Sequence, residues 1–172
     1  MNFSIAATIR RLFSPRHEFS ISWLTWRRLI AGLRQSGRGY RRESGAFLLG
    51  RRSGGATRIV TFVLYDRLDP NCLDTGIVRF DGRYFGGLWE VCKRRNLAVV
   101  ADVHTHPGRA EQSDSDRANP MISIAGHLAL ILPDFAAGPI RPSHIGIYRY
   151  EGGKRWHTVP TEEHRAFFHV GL

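Results

Sequence analysis

Two nearly continuous apolar runs, LAVVADVH at 97–104 and HLALILPD at 127–134, constrain the fold of this chain most strongly. Apolar runs without polar alternation are typical of strands that are buried on both faces, and such strands need covering layers of helix. Amphipathic helices are predicted over Ser20–Ser36 and Tyr84–Arg95, before and between the strands. The sequence therefore predicts a mixed α/β domain with a central sheet flanked by helices.

The remaining elements are predicted from apolar alternation and from glycine turns. Two hairpins are expected, formed by residues 46–52 with 57–66 and by residues 145–150 with 155–159. Residues 67–82 are expected to form an irregular insertion with one short strand at Ile77–Phe80. Thr161 is expected to cap a final short helix that runs to Phe168.

Positive charge is concentrated near the start of the sequence. The net charge is +10, and the first 42 residues contain nine arginines against one acidic residue, Glu18. We expect a basic N-terminal segment at residues 1–19, with a short amphipathic helix, followed by a single domain at 20–172. Such a segment is compatible with nucleic acid, an acidic protein or anionic lipid, but no nucleic-acid-binding motif accompanies it.

Hydropathy and cysteine content limit the class of protein. No apolar run approaches the length of about 20 residues that a membrane-spanning helix needs. Cys72 and Cys92 lack the spacing of a zinc knuckle or of a disulfide framework, so we expect both to be buried, unpaired residues. These features predict a cytoplasmic protein.

The stretch ADVHTHPGRAEQSDSD, residues 101–116, carries the chemistry. His104 and His106 are two positions apart, so on a strand both imidazoles project from the same face. Pro107 ends the strand, and Asp116 can return from the loop as a third ligand. Two nitrogens and one carboxylate oxygen leave a fourth tetrahedral position for water, which is typical of a catalytic zinc site.

Each part of this pattern also has a purely structural interpretation. A histidine at a strand end is often only hydrogen-bonded, and Ser113 with Asp116 is also the sequence of a helix N-cap with an acidic residue at N3. The full combination is far rarer by chance than either part, and this favours the metal site.

The run His104-Thr105-His106-Pro107, followed by Ser113 and Asp116, resembles the JAMM motif of the JAB/MPN zinc metallopeptidases. The resemblance includes the upstream ESGAFLLG at 43–50 and spans residues 20–135, roughly two thirds of the chain. It implies the JAB/MPN fold, which is cytidine-deaminase-like in outline. The loop from Gly108 to Gln112 has five residues where the family commonly has six.

The resemblance assigns a role to each matched residue. Zn²⁺ would be bound by His104, His106 and Asp116. Glu43 would act as the general base, and Ser113 would donate a hydrogen bond to the oxyanion of the tetrahedral intermediate.

Two other interpretations concern the base. Glu43 could be a solvated acid beside Arg41 and Arg42, which would also depress its pKa. Glu111 is a second acid near the metal loop, but it lacks the family context.

The resemblance also implies a substrate and partners. The expected activity is cleavage of the peptide or isopeptide bond after the C-terminus of ubiquitin or a ubiquitin-like protein. Residues 67–82 lie where the family binds the extended tail by strand addition, with Ile77, Val78 and Phe80 as the candidate edge; an ordinary surface loop is the alternative. Stand-alone bacterial members accompany E1-like and E2-like proteins in antiviral conjugation operons, or trim small sulfur-carrier proteins.

Three other functions share some of these sequence features. A metal-free scaffold of the same fold would have lost its ligands, and all of them are present here. A nucleic-acid-binding domain is favoured only by the basic N-terminal segment. A zinc deaminase is excluded, because His106 replaces the glutamate of its H-x-E motif and the chain has no P-C-x-x-C.

Overall fold

The computed structural model describes residues 17–39 and 41–171, so most of the basic segment predicted at 1–19, including its amphipathic helix, lies outside the described residues. The strands are β1 (Phe19–Ser22), β2 (Gly45–Ser53), β3 (Ala56–Leu64), β4 (Ala98–Thr105), β5 (Leu128–Leu132), β6 (Gly146–Gly152), β7 (Arg155–Thr158) and β8 (Phe168–Gly171). The α-helices are α1 (Trp23–Ser36), α2 (Phe85–Arg95), α3 (Asp114–Ala118) and α4 (His164–Phe167).

All eight of these strands form one mixed sheet in the order β7-β6-β5-β4-β2-β3-β1-β8. β4 is parallel to β5, and β1 is parallel to both β3 and β8. The other neighbours are antiparallel. The predicted mixed α/β class and central sheet are confirmed.

The central strand β2 has a covering layer on each face. Its residues from 45 to 50 are all buried. Because side chains alternate across a strand, Leu48 packs with Leu29 of α1, whereas Phe47 packs with Tyr65 and with Leu88 of α2. Burying a side chain of this size stabilises the fold by about 1.5–3 kcal/mol. The two faces thus form two apolar cores.

The first helix starts later than predicted. Residues 19–22 do not join the helix, because they form β1 and hydrogen-bond between β3 and β8. The Ser22 hydroxyl then accepts a hydrogen bond from the Thr25 N–H at 3.2 Å, which caps α1 at its observed start. Gly37 follows the helix.

The strand predicted at Ile77–Phe80 is wrong. This segment has no ladder, because the Val78 N–H donates to Glu43 instead. Val78 and Phe80 pack against the apolar core around Phe47. The interpretation of residues 67–82 as an irregular insertion is otherwise confirmed.

The end of the described chain also differs from the prediction. Thr161 does not cap a helix through its side chain; it begins a 3₁₀ turn, Thr161–Glu163, that follows Pro160. The helix then lasts only one turn, and residues from Phe168 onwards form β8, a strand that the sequence did not predict.

Both cysteines are buried and unpaired, as predicted. Burial raises the pKa of the Cys72 thiol to about 12, with Asp69 and Asp66 adding to the effect. No helix within the described residues is long and apolar enough to cross a membrane.

Candidate metal centre

The two histidines lie at the C-terminal end of β4. His104 is opposite Gly45 of β2 on one side and Ile131 of β5 on the other, so both neighbouring strands fix its backbone. His106 follows the strand, and its N–H donates to the Leu132 carbonyl at 2.9 Å. The alternation of the strand therefore places both imidazoles on the same face, as predicted.

The third residue, Asp116, is positioned by a capping box at the start of α3. Its backbone N–H donates to the Ser113 hydroxyl at 3.2 Å, and its Oδ2 accepts from both the N–H and the hydroxyl of Ser113 at 2.7 Å. The helix ends at Ala118, before Pro120. The five-residue loop is thus long enough to bring Asp116 to the histidines.

The three side chains converge on one point. The two Nε2 atoms of His104 and His106 are 3.0 Å apart, and the Asp116 oxygens lie 3.4 Å from the first and 3.3 Å from the second. Zinc–ligand distances of 2.0–2.1 Å in a tetrahedron place neighbouring ligand atoms about 3.3 Å apart. Both the donor types and their spacing therefore fit a metal ion such as Zn²⁺.

The electrostatics of the cluster favour cation binding. Burial raises the pKa of Asp116, but hydrogen bonds from His104, His106 and Ser113 outweigh burial and hold it well below its ordinary value. Burial lowers the pKa of His104, but the Asp116 carboxylate more than compensates and raises it. The carboxylate is thus ionised, and its negative charge beside two imidazole nitrogens favours a cation at this point.

Glu43 lies beside this cluster. It lies two positions before Gly45, the β2 residue that pairs with His104, and its charge contributes to the raised pKa of His104. Its Oε2 accepts from the Val78 N–H at 3.1 Å, and its own N–H donates to the Gly76 carbonyl at 3.0 Å. The backbone of the 67–82 insertion therefore holds the carboxylate in place.

The contacts in the structure support neither of the two alternatives for the general base. Among the described residues Glu43 forms no ion pair, and the Arg42 guanidinium instead donates to the carbonyls of Ser36 and Leu73. Glu111 is exposed and lies 3.7 Å from Arg109.

Ser113, the predicted oxyanion donor, is adjacent to the cluster, but its hydroxyl donates to Asp116 in this structure. The structural interpretation of Ser113 as an N-cap is therefore confirmed, and the residue lies next to the candidate metal cluster. Its role toward a substrate stays a prediction.

A cavity opens beside His104 and Asp116. Its apolar walls are formed by Val78, Pro120, Met121, Ala129 and Trp156, and its polar lining by Asp102, Gln112, Ser115 and Asn119. The Trp156 indole donates to the Arg117 carbonyl at 3.1 Å, which connects β7 to the end of α3. The cavity offers space for a ligand next to the three converging side chains.

Sequence reasoning missed a buried polar group below this cavity. Asp102 accepts from His127 at 2.7 Å and from the Tyr65 hydroxyl at 3.3 Å. A carboxylate inside an apolar strand is rarely buried without a partner. The position of Asp102 within LAVVADVH was therefore the sequence feature that indicated a buried polar partner. Its partner His127 is only 4% exposed.

Comparison with known proteins adds a distant relative. No protein-family model matches the chain. A stretch of 68 residues, 40% of the chain, is 37% identical to a protein of Sinorhizobium fredii described as probable metalloprotease y4jG. The chain is a distant homologue of a probable metalloprotease. The match spans 42% of the length of that relative.

Two solved structures are similar to this chain. The protein DSY2949 from Desulfitobacterium hafniense superposes with a TM-score of 0.62 at 15% identity, over 88% of this chain and 92% of that one. A protein from Salinibacter ruber gives a TM-score of 0.49 at 17% identity, over 78% and 86% of the two chains. The first likeness shows that this mixed α/β architecture occurs in another solved protein.

Proposed function

We propose that this protein is a zinc-dependent hydrolase of the JAB/MPN type that cleaves the peptide or isopeptide bond after the C-terminus of a ubiquitin-like protein. The observation that carries the proposal is the convergence of His104, His106 and Asp116 at the spacing of a zinc tetrahedron, with Glu43 beside them. The homology to a probable metalloprotease supports the reaction class. The ubiquitin-like substrate, and E1-like and E2-like partners, rest on the motif resemblance.

Zn²⁺ bound by the three side chains would supply a Lewis acid that polarises the scissile carbonyl and activates a water molecule. Glu43 accepts a proton from the attacking water and returns it to the leaving amine nitrogen as the C–N bond breaks. The Val78 N–H donates only to Oε2 of Glu43. Within the described residues, Oε1 therefore remains available to accept this proton.

Ser113 would stabilise the oxyanion only if its hydroxyl turns away from Asp116. This rotation leaves Asp116 Oδ2 with the Ser113 backbone N–H as a donor, at 2.7 Å. The carboxylate is therefore kept in place while the hydroxyl changes partner. A donor aimed at a developing oxyanion contributes about 10²- to 10³-fold in kcat.

The test combines metal content with cleavage. Purified wild-type protein is expected to hold about one zinc per chain by mass spectrometry and to cleave a ubiquitin-like fusion protein. Asp116→Ala is expected to lose both properties, whereas Asp114→Ala, which alters an exposed acid in the same helical turn, keeps both. Zinc that is unaffected by Asp116→Ala would contradict the ligand assignment. Zinc without cleavage would leave a metal-binding scaffold as the better description.

A further inference from the structure

Gln112 is a buried polar side chain that the mechanism above does not use. It is 9% exposed and lines the same cavity as His104 and Asp116. Its side-chain oxygen Oε1 is enclosed and has no hydrogen-bond partner among the described residues. Because a buried carbonyl oxygen without a partner destabilises a folded protein, an unpaired group at this place calls for a partner from outside the chain.

The loop that carries Gln112 is held at both ends. Upstream, the buried Tyr148 hydroxyl donates to the Ala110 carbonyl at 2.8 Å. Downstream, Ser113 is bound to Asp116 through the capping box. Two anchors within three residues on either side restrict the loop, so Gln112 is preorganised toward the cavity.

We propose that Gln112 is a substrate-binding residue whose side-chain amide hydrogen-bonds one peptide group of the polypeptide at the metal centre. This inference rests on the proposed function. A carboxamide carries an NH₂ donor next to a carbonyl acceptor, and a peptide group offers the complementary pair, a carbonyl and an N–H.

The side chain of Gln112 and the apolar walls near it suit a neutral peptide group. The amide of Gln112 has no charge and does not titrate, so it matches the neutral carbonyl and N–H of a peptide group. Val78, Met121 and Trp156 form apolar walls around the same cavity. Hydrogen bonds are stronger where such walls exclude water, and a peptide chain satisfies the amide without bringing a charge into that space.

The test replaces Gln112 by methionine, which has a similar length and no strong hydrogen-bonding group. The control is Gln35→Met at an exposed position of α1; Gln35 is the other glutamine of the chain. The probe is a synthetic peptide ending in Gly-Gly, joined through its carboxyl group to a lysine side chain. Gln112→Met is expected to raise KM about three- to tenfold with kcat unchanged.

Two further readouts separate substrate binding from a structural role. Gln112→Met is expected to keep its zinc and to show a Tm equal to or above that of the wild type, because an unpaired buried group has been removed. Gln35→Met is expected to change neither KM nor Tm. A lower Tm or a loss of zinc in Gln112→Met would overturn the inference, since Gln112 would then support the fold or the metal site.

Calorimetric titration of the same peptide into Glu43→Gln distinguishes this inference from the proposed function. An affinity that falls about three- to tenfold when Gln112→Met is added supports the inference even if no chain cleaves the peptide. Cleavage with an affinity that does not depend on Gln112 retains the proposed function and overturns the inference. Absence of binding to Glu43→Gln overturns the inference as well.

Discussion

The Asp102 carboxylate and the His127 imidazole lie 2.7 Å apart inside the protein, although 25 positions separate them in the sequence. Both side chains are 3% exposed. Asp102 lies in the middle of β4, two positions before the proposed ligand His104. His127 immediately precedes β5, so the pair connects these two strands. The polar network below the cavity is therefore part of the structure that supports the metal centre.

Removing the histidine of this pair is expected to destabilise the protein strongly. His127→Leu leaves the Asp102 carboxylate buried without its closest partner, and losses of this kind cost about 3–5 kcal/mol in the free energy of unfolding. Urea denaturation measures this loss. The exposed His157→Leu is the matched control and is expected to change the value by less than about 0.5 kcal/mol. Similar small effects in both variants would contradict a structural role for the pair.

The Tyr65 hydroxyl is expected to give the stability a dependence on alkaline pH. Burial raises the pKa of Tyr65 well above its ordinary value, and the neighbouring Asp102 carboxylate raises it further. Above pH of about 10 the unfolded chain ionises at this tyrosine while the folded chain does not, so stability is lost as pH rises.

Tyr65→Phe tests this dependence. At pH 7 the variant is expected to be less stable by about 1 kcal/mol, because the hydrogen bond to Asp102 is lost. The difference should shrink and then reverse above pH of about 10, since only the wild type carries the ionising group. Urea unfolding of both proteins across this range measures the difference, and a constant gap would show that the raised pKa is wrong.

Zinc is expected to stabilise the folded protein through Asp116. A ligand that binds only the native state at a free concentration 100 times its Kd adds about 2.7 kcal/mol. Unfolding of metal-depleted protein with and without added Zn²⁺ measures this gain, which a chelator should reverse. Asp114→Ala should keep the gain and Asp116→Ala should lose it; an equal gain in both would place the ion elsewhere.

Glu43→Gln is expected to separate catalysis from metal binding. The amide retains an oxygen that can accept from the Val78 N–H but does not act as a base, so hydrolysis should fall about 10²- to 10⁴-fold. Zinc content and Tm should stay close to those of the wild type. Glu111→Gln, a change at an exposed acid in the metal loop, should leave the rate unchanged. A rate that falls in Glu111→Gln but not in Glu43→Gln would show that Glu111 is the base.

Glycine-to-alanine substitutions at two positions are expected to change the stability of the fold in opposite directions. In Gly45→Ala the new Cβ would collide with the Tyr65 ring beside the metal centre, and overpacking of this kind costs about 1–3 kcal/mol. In Gly86→Ala, within α2, no atom lies within 4 Å of the new Cβ, so better helix propensity should add about 0.5–1 kcal/mol. Thermal unfolding compares them, and destabilisation of equal size at both positions would contradict this packing.

Much of the site was predictable because its information is local. The period of a strand aligns His104 with His106, and the Ser-x-x-Asp spacing specifies the capping box that positions Asp116. Long apolar runs likewise predict β2, β4 and β5 within about two residues. In each of these cases neighbouring residues determine the geometry.

The errors concern elements whose structure depends on distant partners. β1 and β8 have four residues each and exist as strands because β1 pairs with β3 on one side and with β8 on the other. The strand predicted at Ile77–Phe80 fails because the Val78 N–H is bound by Glu43 instead of a neighbouring strand. The partner of Asp102 is His127, and a single sequence does not reveal such a pairing.

The register that sets Phe19 beside Phe168 also determines when this protein can finish folding. During synthesis β1 is made early, but one of its edges stays open until about 150 further residues have been added. At about 5–20 residues per second this takes on the order of ten seconds or more. Throughout that time the nascent chain exposes an apolar strand edge that can pair with other chains. Translation speed and chaperone access are therefore expected to govern the yield of active protein, even where the metal centre itself is already complete.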